Sequence, residues 1–355
     1  VSNPEVLGGG SADSGELFLH VPVPRLLGRS KDIAIVCPGA PEPWGPWSLL
    51  QGIGGSEEAV VRLSRALCRR GHTVSVYGSG WYGADSGDWF KGSATSVPAY
   101  YPTSDYRRAD VLIGWRYPEI FLNQMRPFNA EWKALWLHDS VEKERVLAVA
   151  SLVDLIWGIS DYHASLYNGI PKVYKGRNGI DPWEVSGGDV VRNPAKLVYS
   201  STPFRGLGLL LERYWPEIKA KVPEAELHCF YGWESADRMG ATSTPEGAAF
   251  KSRIMELAQQ PGVVWRGRVG QPELYREYRS AGVWSYSTTW AEENCCHPDT
   301  MISVPGDHRG GPPRVRIADL VGKSGFPVWT YDEFEHRFRI GTAARVWQTK
   351  IADEM

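Results

Sequence analysis

The sequence predicts an α/β protein made of two doubly wound, Rossmann-like units with a cleft between them. Three observations lead there. Short, almost unbroken apolar runs alternate with amphipathic stretches at helical spacing, as expected of strands buried on both faces of a parallel sheet. The alternation runs from DIAIVC to KVYKGRNGID and then starts afresh at KLVYSS. A chain of 355 residues is also too long for one ordinary core, so two domains are the natural division.

The boundaries follow from that alternation. Residues 1–30 begin with the Gly/Ser-rich stretch GGGSADSG and read as an N-terminal extension. Residues 31–185 form the first unit and residues 186–355 the second. From about residue 297 the second unit becomes atypical, rich in Gly, Pro and Arg.

In the first unit, DIAIVC is a buried strand and a Pro- and Trp-rich loop follows it. Ala59, Val60, Leu63, Ala66 and Leu67 then recur on one helical face. Ser56 reads as the N-cap of that helix, with Glu57 and Glu58 in its positive first turn and Gly71 as its stop. TVSVYG closes a βαβ unit. DVLIGW is a strand ending near Arg116, and KALWLHD is one with His138 and Asp139 at its carboxyl end. SLVDLIWGIS gives a helix end and a strand, and KVYKGRNGID a strand and a turn.

In the second unit KLVYSS is a strand and GLGLLLERYWPEIKAKVP a helix stopped by Pro223. AELHCFYGW is a strand, FKSRIMELAQQ a helix, VVWRGRVG a strand and turn, QPELYREYRSAG a helix, and VWSYSTT a strand. HPDTMISVPGDHRGGPPRVRIADLVGKSG reads as irregular structure around a short helix. The closing TYDEFEHRFRIGTAARVWQTKIADEM reads as helical.

Composition excludes some functions. A net charge of -2 gives no basic field for coating nucleic acid, so no nucleic-acid partner is expected. No apolar run is long enough to span a bilayer, although contact with a membrane periphery stays open. No basic stretch followed by an apolar core opens the sequence given. The five cysteines are few and odd in number, and three lie in apolar runs. Reduced thiols in a cytoplasmic protein are therefore expected. Cys295, Cys296, His297 and His308 do not have zinc-site spacing, and no metal site is expected.

In open α/β sheets ligands bind beyond the carboxyl ends of strands, and four such stretches carry polar chemistry. Gly52-Ile53-Gly54-Gly55-Ser56-Glu57 offers close backbone approach and a helix N-terminus to an anion; it equally suits a plain turn into a helix. His138 either fills a structural place at its strand end or faces a ligand. Arg205, in Ser201-Thr202-Pro203-Phe204-Arg205-Gly206, is a solvated cation or one jaw of a phosphate clamp. Glu292 and Glu293 are surface charges or hydroxyl-binding carboxylates.

Taken in order, these pieces resemble the family-4-type retaining GT-B glycosyltransferases (glycosyl transferases group 1). GIGGSEEAVVRLSRALCRRGHTVSVYG resembles their opening and RNGIDP their turn between domains. SSTPFRGLGLLLERYWPEIKAKVPEAELHCFYG resembles the start of their donor domain. VVWRGRVGQPELYREYRSAGVWSYSTTWAEE resembles the approach to their acidic motif. The resemblance spans about residues 31–296 and implies a nucleotide-sugar donor held between the domains.

By the same resemblance Gly54 and Gly55 lie near the donor phosphates. Arg205 with Gly206 meets the diphosphate, where Lys is usual and a partner Arg is replaced by serine. Gly232 and Trp233 follow the strand beneath the nucleotide, and Arg268 with Val269 flanks the base. His138 and Glu292 are the implied catalytic residues, Glu292 matching the first acid of a Glu-x7-Glu pair. The second acid is missing, because Thr300 and Met301 stand eight residues after Glu292 and Glu293. The implied activity is transfer of a sugar to a glycan or small-molecule acceptor, with retention and without metal or other cofactor. A catalytically impaired GT-B-like binding or structural protein is the alternative; a sugar-nucleotide epimerase or a phosphorylase is a third.

Overall fold

The computed structural model describes residues 29–39, 42–78, 98–102, 106, 108–122, 128–181, 185, 190–287, 301–303, 314–320, 323–332 and 337–345. Two parallel sheets dominate it, and the fold class is α/β as the alternation predicts.

The first sheet comprises β1 (Asp32–Cys37), β2 (Thr73–Gly78), β3 (Ala99–Pro102), β4 (Ala109–Trp115), β5 (Ala130–Trp136), β6 (Leu155–Gly158) and β7 (Val173–Lys175). Its order is β3-β2-β1-β4-β5-β6-β7, with every pairing parallel. The chain reverses direction across the sheet between β1 and β4, which makes that junction its topological switch point. Both faces of β1 are buried. Ile33, Ile35 and Cys37 pack with α2 (Gly55–Arg69), whose Val60 and Val61 are fully enclosed. Ala34 and Val36 face the opposite layer with Leu112 and Ile120. Each fully buried Val, Leu or Ile side chain stabilises the fold by about 1.5–3 kcal/mol.

The second sheet comprises β8 (Asn193–Tyr199), β9 (Glu226–Phe230), β10 (Val263–Gly267) and β11 (Ala281–Trp284), in the order β10-β9-β8-β11 and all parallel. Its core gathers Leu197, Tyr199, Leu207, Leu211, Trp215, Leu227 and Ile254. The helix after β8 runs from Leu207 to Lys221, but Leu210–Tyr214 is wound as a π-helix. Pro216 explains the widening. A proline in a helix clashes with the carbonyl four residues earlier, here Glu212, and the wider turn moves that carbonyl away.

Three sequence expectations are corrected. Ser56 is not the N-cap of α2; Gly54 is, with extended backbone and no side-chain capping bond, and the helix starts at Gly55. The helix therefore begins two residues sooner than side-chain capping preference would have it. The closing segment is not helical where it is described. β14 (Ser324–Asp332) and β15 (Arg337–Arg345) form an antiparallel hairpin, with Trp329 opposite Ile340 and Tyr331 opposite Phe338. Alternation of aromatic and β-branched residues with polar ones has a period of two, which outweighs local helix preference. Before it, β12 (Met301–Ser303) and β13 (Arg314–Arg316) pair antiparallel ahead of the short Ile317–Leu320 helix. No helix among the described residues is long and apolar enough to cross a membrane. Cys37, Cys68 and Cys229 are free and buried, as expected.

Candidate functional site at the cleft

Residues beyond the carboxyl ends of strands from both sheets come together at one pocket. The loop from Gly52 to Gly55 lies between them and is touched from both sides. Gly52 has φ +102°, and a Cβ there would collide with the Arg268 side chain. Only glycine combines that backbone with that approach. Gly55, by contrast, has open space where a Cβ would stand.

Between the halves is a pocket of about 150 Å³. The first half contributes Gly52, Ile53, Gly55 and Glu58. The second contributes Ser200 from the end of β8, Phe230 and Tyr231 from β9, Arg268 and Val269 after β10, and Gln271, Leu274 and Tyr278 from the Gln271–Ser280 helix. Tyr278 and Ser200 share a hydroxyl–hydroxyl bond of 2.6 Å at its wall. Glu58 reaches across the cleft: its carboxylate accepts from Tyr275 and Gln271 of the second half and from Arg62 of its own helix. Burial and the Glu58 charge together push the Tyr275 hydroxyl well above its ordinary value.

A second cluster sits at the switch point of the first sheet. Arg116 follows β4 in left-handed backbone, φ +70°. Its Nε and Nη2 donate to the two oxygens of Asp139 at 2.5 and 2.9 Å, and its Nη1 donates to Glu57 at 3.2 Å. Its guanidinium lies over the Trp115 ring, 4.9 Å from the centroid. Burial opposes its charge, yet Asp139 and Glu57 hold it above its ordinary value. For Asp139 burial is likewise outweighed, by Arg116 first, with His138 and Arg205 adding to the lowering. For Glu57 burial prevails over Arg116, so that carboxyl is raised.

His138 is 4% exposed, and its Nε2 has no hydrogen-bond partner among the described residues. Its ring packs edge-on to Trp136 at 4.5 Å and tilted to Trp115 at 5.9 Å. Burial, then the nearby Arg116 charge, push it down to about 3, so the imidazole is neutral at physiological pH. The adjacent turn is pinned by His163. Ile159 N–H donates to His163 Nδ1, so its Nε2 proton faces the Asp139 carbonyl at 3.1 Å.

The remaining sequence candidates divide. Arg205 follows β8; its backbone N–H donates to Thr202 and its carbonyl accepts from the Tyr199 hydroxyl. Its charge reaches Asp139 of the other half. Gly206 caps the following helix and accepts a bond from Ser287 at 2.8 Å. Gly232 follows β9 in left-handed backbone, but Trp233 turns into the core, where its indole donates to the Met255 sulfur and stacks near Trp265. Trp233 is not among the pocket's lining residues. Arg268 and Val269 do line it, though the Arg268 guanidinium also grips Glu42. Glu292, with Glu293, Cys295, Cys296, His297, Thr300 and His308, lies outside the described residues. No cluster suited to holding a metal occurs among the described residues.

Sequence reading named Glu57 and Asp139 only as members of candidate stretches, without a role, and left out Arg116, Glu58 and Glu42. Their signal was weak. Adjacent glutamates in a first helical turn read as partners of the helix dipole, and an arginine at a strand end as solvated.

No protein-family model and no curated protein matches the sequence. Solved structures do match by shape. Sucrose-phosphate synthase from Thermosynechococcus elongatus superposes with a TM-score of 0.51 at 15% identity, covering 73% of this chain and 76% of that one. An alpha-glucosyltransferase in complex with UDP reaches 0.47 at 11% identity, over 74% and 75% of the two chains. AviGT4, a glycosyltransferase involved in avilamycin A biosynthesis, reaches 0.44 at 14% identity over 73% of each. With its two facing parallel sheets and its likeness to the sucrose-phosphate synthase, this chain has the GT-B fold.

Proposed function

We propose that this protein is a glycosyltransferase that takes a sugar from a nucleotide-sugar donor held in the cleft and passes it to a glycan or small-molecule acceptor. The observation that carries the reading is the pocket at the carboxyl ends of β8, β9 and β10, closed from the other half by the first turn of α2. A ligand there meets backbone and hydroxyl groups at its rim and an open approach at Gly55. The donor diphosphate would be neutralised by Arg205 and the N-terminus of α2, with no metal assigned to that role. His138, as a neutral imidazole, would hydrogen-bond to the transferring sugar, and Glu292 would contact it from the second half. Retention at the anomeric carbon is part of the proposal and rests on the sequence resemblance. The free buried thiols suit a reducing, cytoplasmic compartment.

The test is a thermal-shift panel of UDP, GDP, ADP and their sugars, followed by calorimetry. One nucleotide diphosphate should raise the melting temperature, since ligand at 100 Kd adds about 2.7 kcal/mol. Arg205→Ala should then weaken that ligand about tenfold or more. If no nucleotide shifts the melting temperature, the reading fails. The missing second acid, replaced by Thr300 or Met301, favours a second reading as a non-catalytic binding protein. A bound nucleotide sugar that is neither transferred nor hydrolysed would select it.

A further inference from the structure

Arg116 occupies the switch point of the first sheet, where a residue touches whatever enters the crevice from either side. Its backbone is left-handed, a conformation that side chains with a Cβ adopt only when their surroundings enforce it. What enforces it is on both sides. Asp139 takes two of its nitrogens, and Glu57 of α2 takes the third. The side chain is only 16% exposed. Through it the first turn of α2, which carries Gly54 and Gly55, is joined to the turn that carries His138.

We propose that Arg116 is a positioning residue that locks the start of α2 and the His138–Asp139 turn into one rigid floor of the cleft. The lock depends on the planar fork of the guanidinium, which bonds two carboxylates in different directions at once; a lysine ammonium lacks that geometry. This rests on the proposed transferase reading, in which those two segments face the donor and the sugar. The groups facing His138 are Arg116 from β4, Asp139 beside it and His163 from α4 (Asp161–Ser165), with Trp115 and Trp136 as apolar walls. Arg205 and Glu57 act on that group at one remove, through Asp139 and Arg116.

The experiment compares the full-length chain with Arg116→Lys and Arg116→Gln. Hydrogen exchange at residues 55–58 and 138–141 should rise together in both variants while exchange in β8–β11 stays unchanged. The His138 imidazole, followed by NMR, should titrate about one pH unit or more higher in Arg116→Gln, where the charge is gone, and shift less in Arg116→Lys. With the nucleotide sugar found by the panel, kcat should fall about tenfold or more in Arg116→Lys while donor KM stays within about twofold. Added guanidinium should restore part of the activity of Arg116→Gly. Unchanged exchange at both segments, or an Arg116→Lys enzyme as active as the parent, overturns the proposal. A parent chain that binds no nucleotide overturns the transferase reading instead and leaves the exchange and titration results to decide the role of Arg116.

Discussion

Arg268 and Glu42, 226 positions apart in the chain, clasp each other across the cleft, with the terminal guanidinium nitrogens 2.6 and 2.8 Å from the carboxylate oxygens. The same guanidinium donates to the Gly52 carbonyl at 3.0 Å, and Ser235 donates to Glu42 at 3.1 Å. The clasp therefore joins the rim of the cleft pocket to the loop ahead of α2. Arg268→Met should lower unfolding free energy by about 1.5–3 kcal/mol, the cost of losing hydrogen bonds to a charged group. Small-angle scattering should show a larger radius of gyration as the halves part. An unchanged radius with unchanged stability would mean that the clasp carries no weight.

The buried His138 makes stability depend on pH. Its folded value of about 3 lies below the ordinary 6.5 of an unfolded histidine. Between those values the unfolded chain binds a proton that the folded chain refuses, so stability falls as pH drops from about 6.5 toward 3, by roughly 1.4 kcal/mol per pH unit. Asp139, whose folded value is also lowered, adds loss in the acid range, while Glu57, raised by burial, opposes it. Urea midpoints between pH 7 and pH 4 should therefore fall less steeply in His138→Gln than in the parent. Equal slopes would place the sensitivity elsewhere.

Two neighbouring glycines should respond differently to alanine. A Cβ at Gly54 would collide with the Glu57 carboxylate, whereas at Gly55 nothing stands in the way. Gly54→Ala should displace Glu57 from Arg116 and destabilise by about 1–3 kcal/mol. Gly55→Ala should leave the melting temperature within experimental error and weaken nucleotide binding, since its open space adjoins the pocket. Calorimetry and thermal unfolding on both variants separate the two effects.

Away from the cleft, Lys196 bonds Glu277 at 2.5 Å and Ser280 at 2.8 Å beneath the second sheet, with His228 3.4 Å from the same carboxylate. Lys196→Met leaves a buried carboxylate without its main cation and should cost about 3 kcal/mol. Because Glu277 is held below its ordinary value, that loss should be largest at neutral pH and shrink as the carboxylate is protonated. Chemical denaturation at pH 7 and pH 4 measures both. A Lys196→Met/Glu277→Leu double variant should recover much of the stability.

The strands were legible because parallel, doubly buried strands write themselves as continuous apolar runs, and DIAIVC, DVLIGW and KLVYSS lie where the alternation puts them. β3 was not, being a four-residue edge strand bounded by prolines. The closing antiparallel pair was missed because its pairing joins residues as far apart as Ser324 and Arg345, and no local helix preference reports that. At the site, Arg268 and Val269 were named through the family resemblance, and both line the pocket after β10. Arg116 was not, since its worth comes from a backbone twist and from two carboxylates 23 and 59 residues away. Trp233, which the family resemblance put beneath the nucleotide, turns its indole to Met255 and the core.

Glu57 and Glu58 are consecutive, yet one binds Arg116 of the first half and the other Tyr275 and Gln271 of the second. Successive side chains on a helix point about 100° apart, and here that angle separates the two halves of the molecule. An inserted or deleted residue between β1 and α2 that shifted the helical phase would hand each carboxylate the wrong set of partners. The spacing of that short stretch is thus as much a fixed quantity as the identity of any side chain in it.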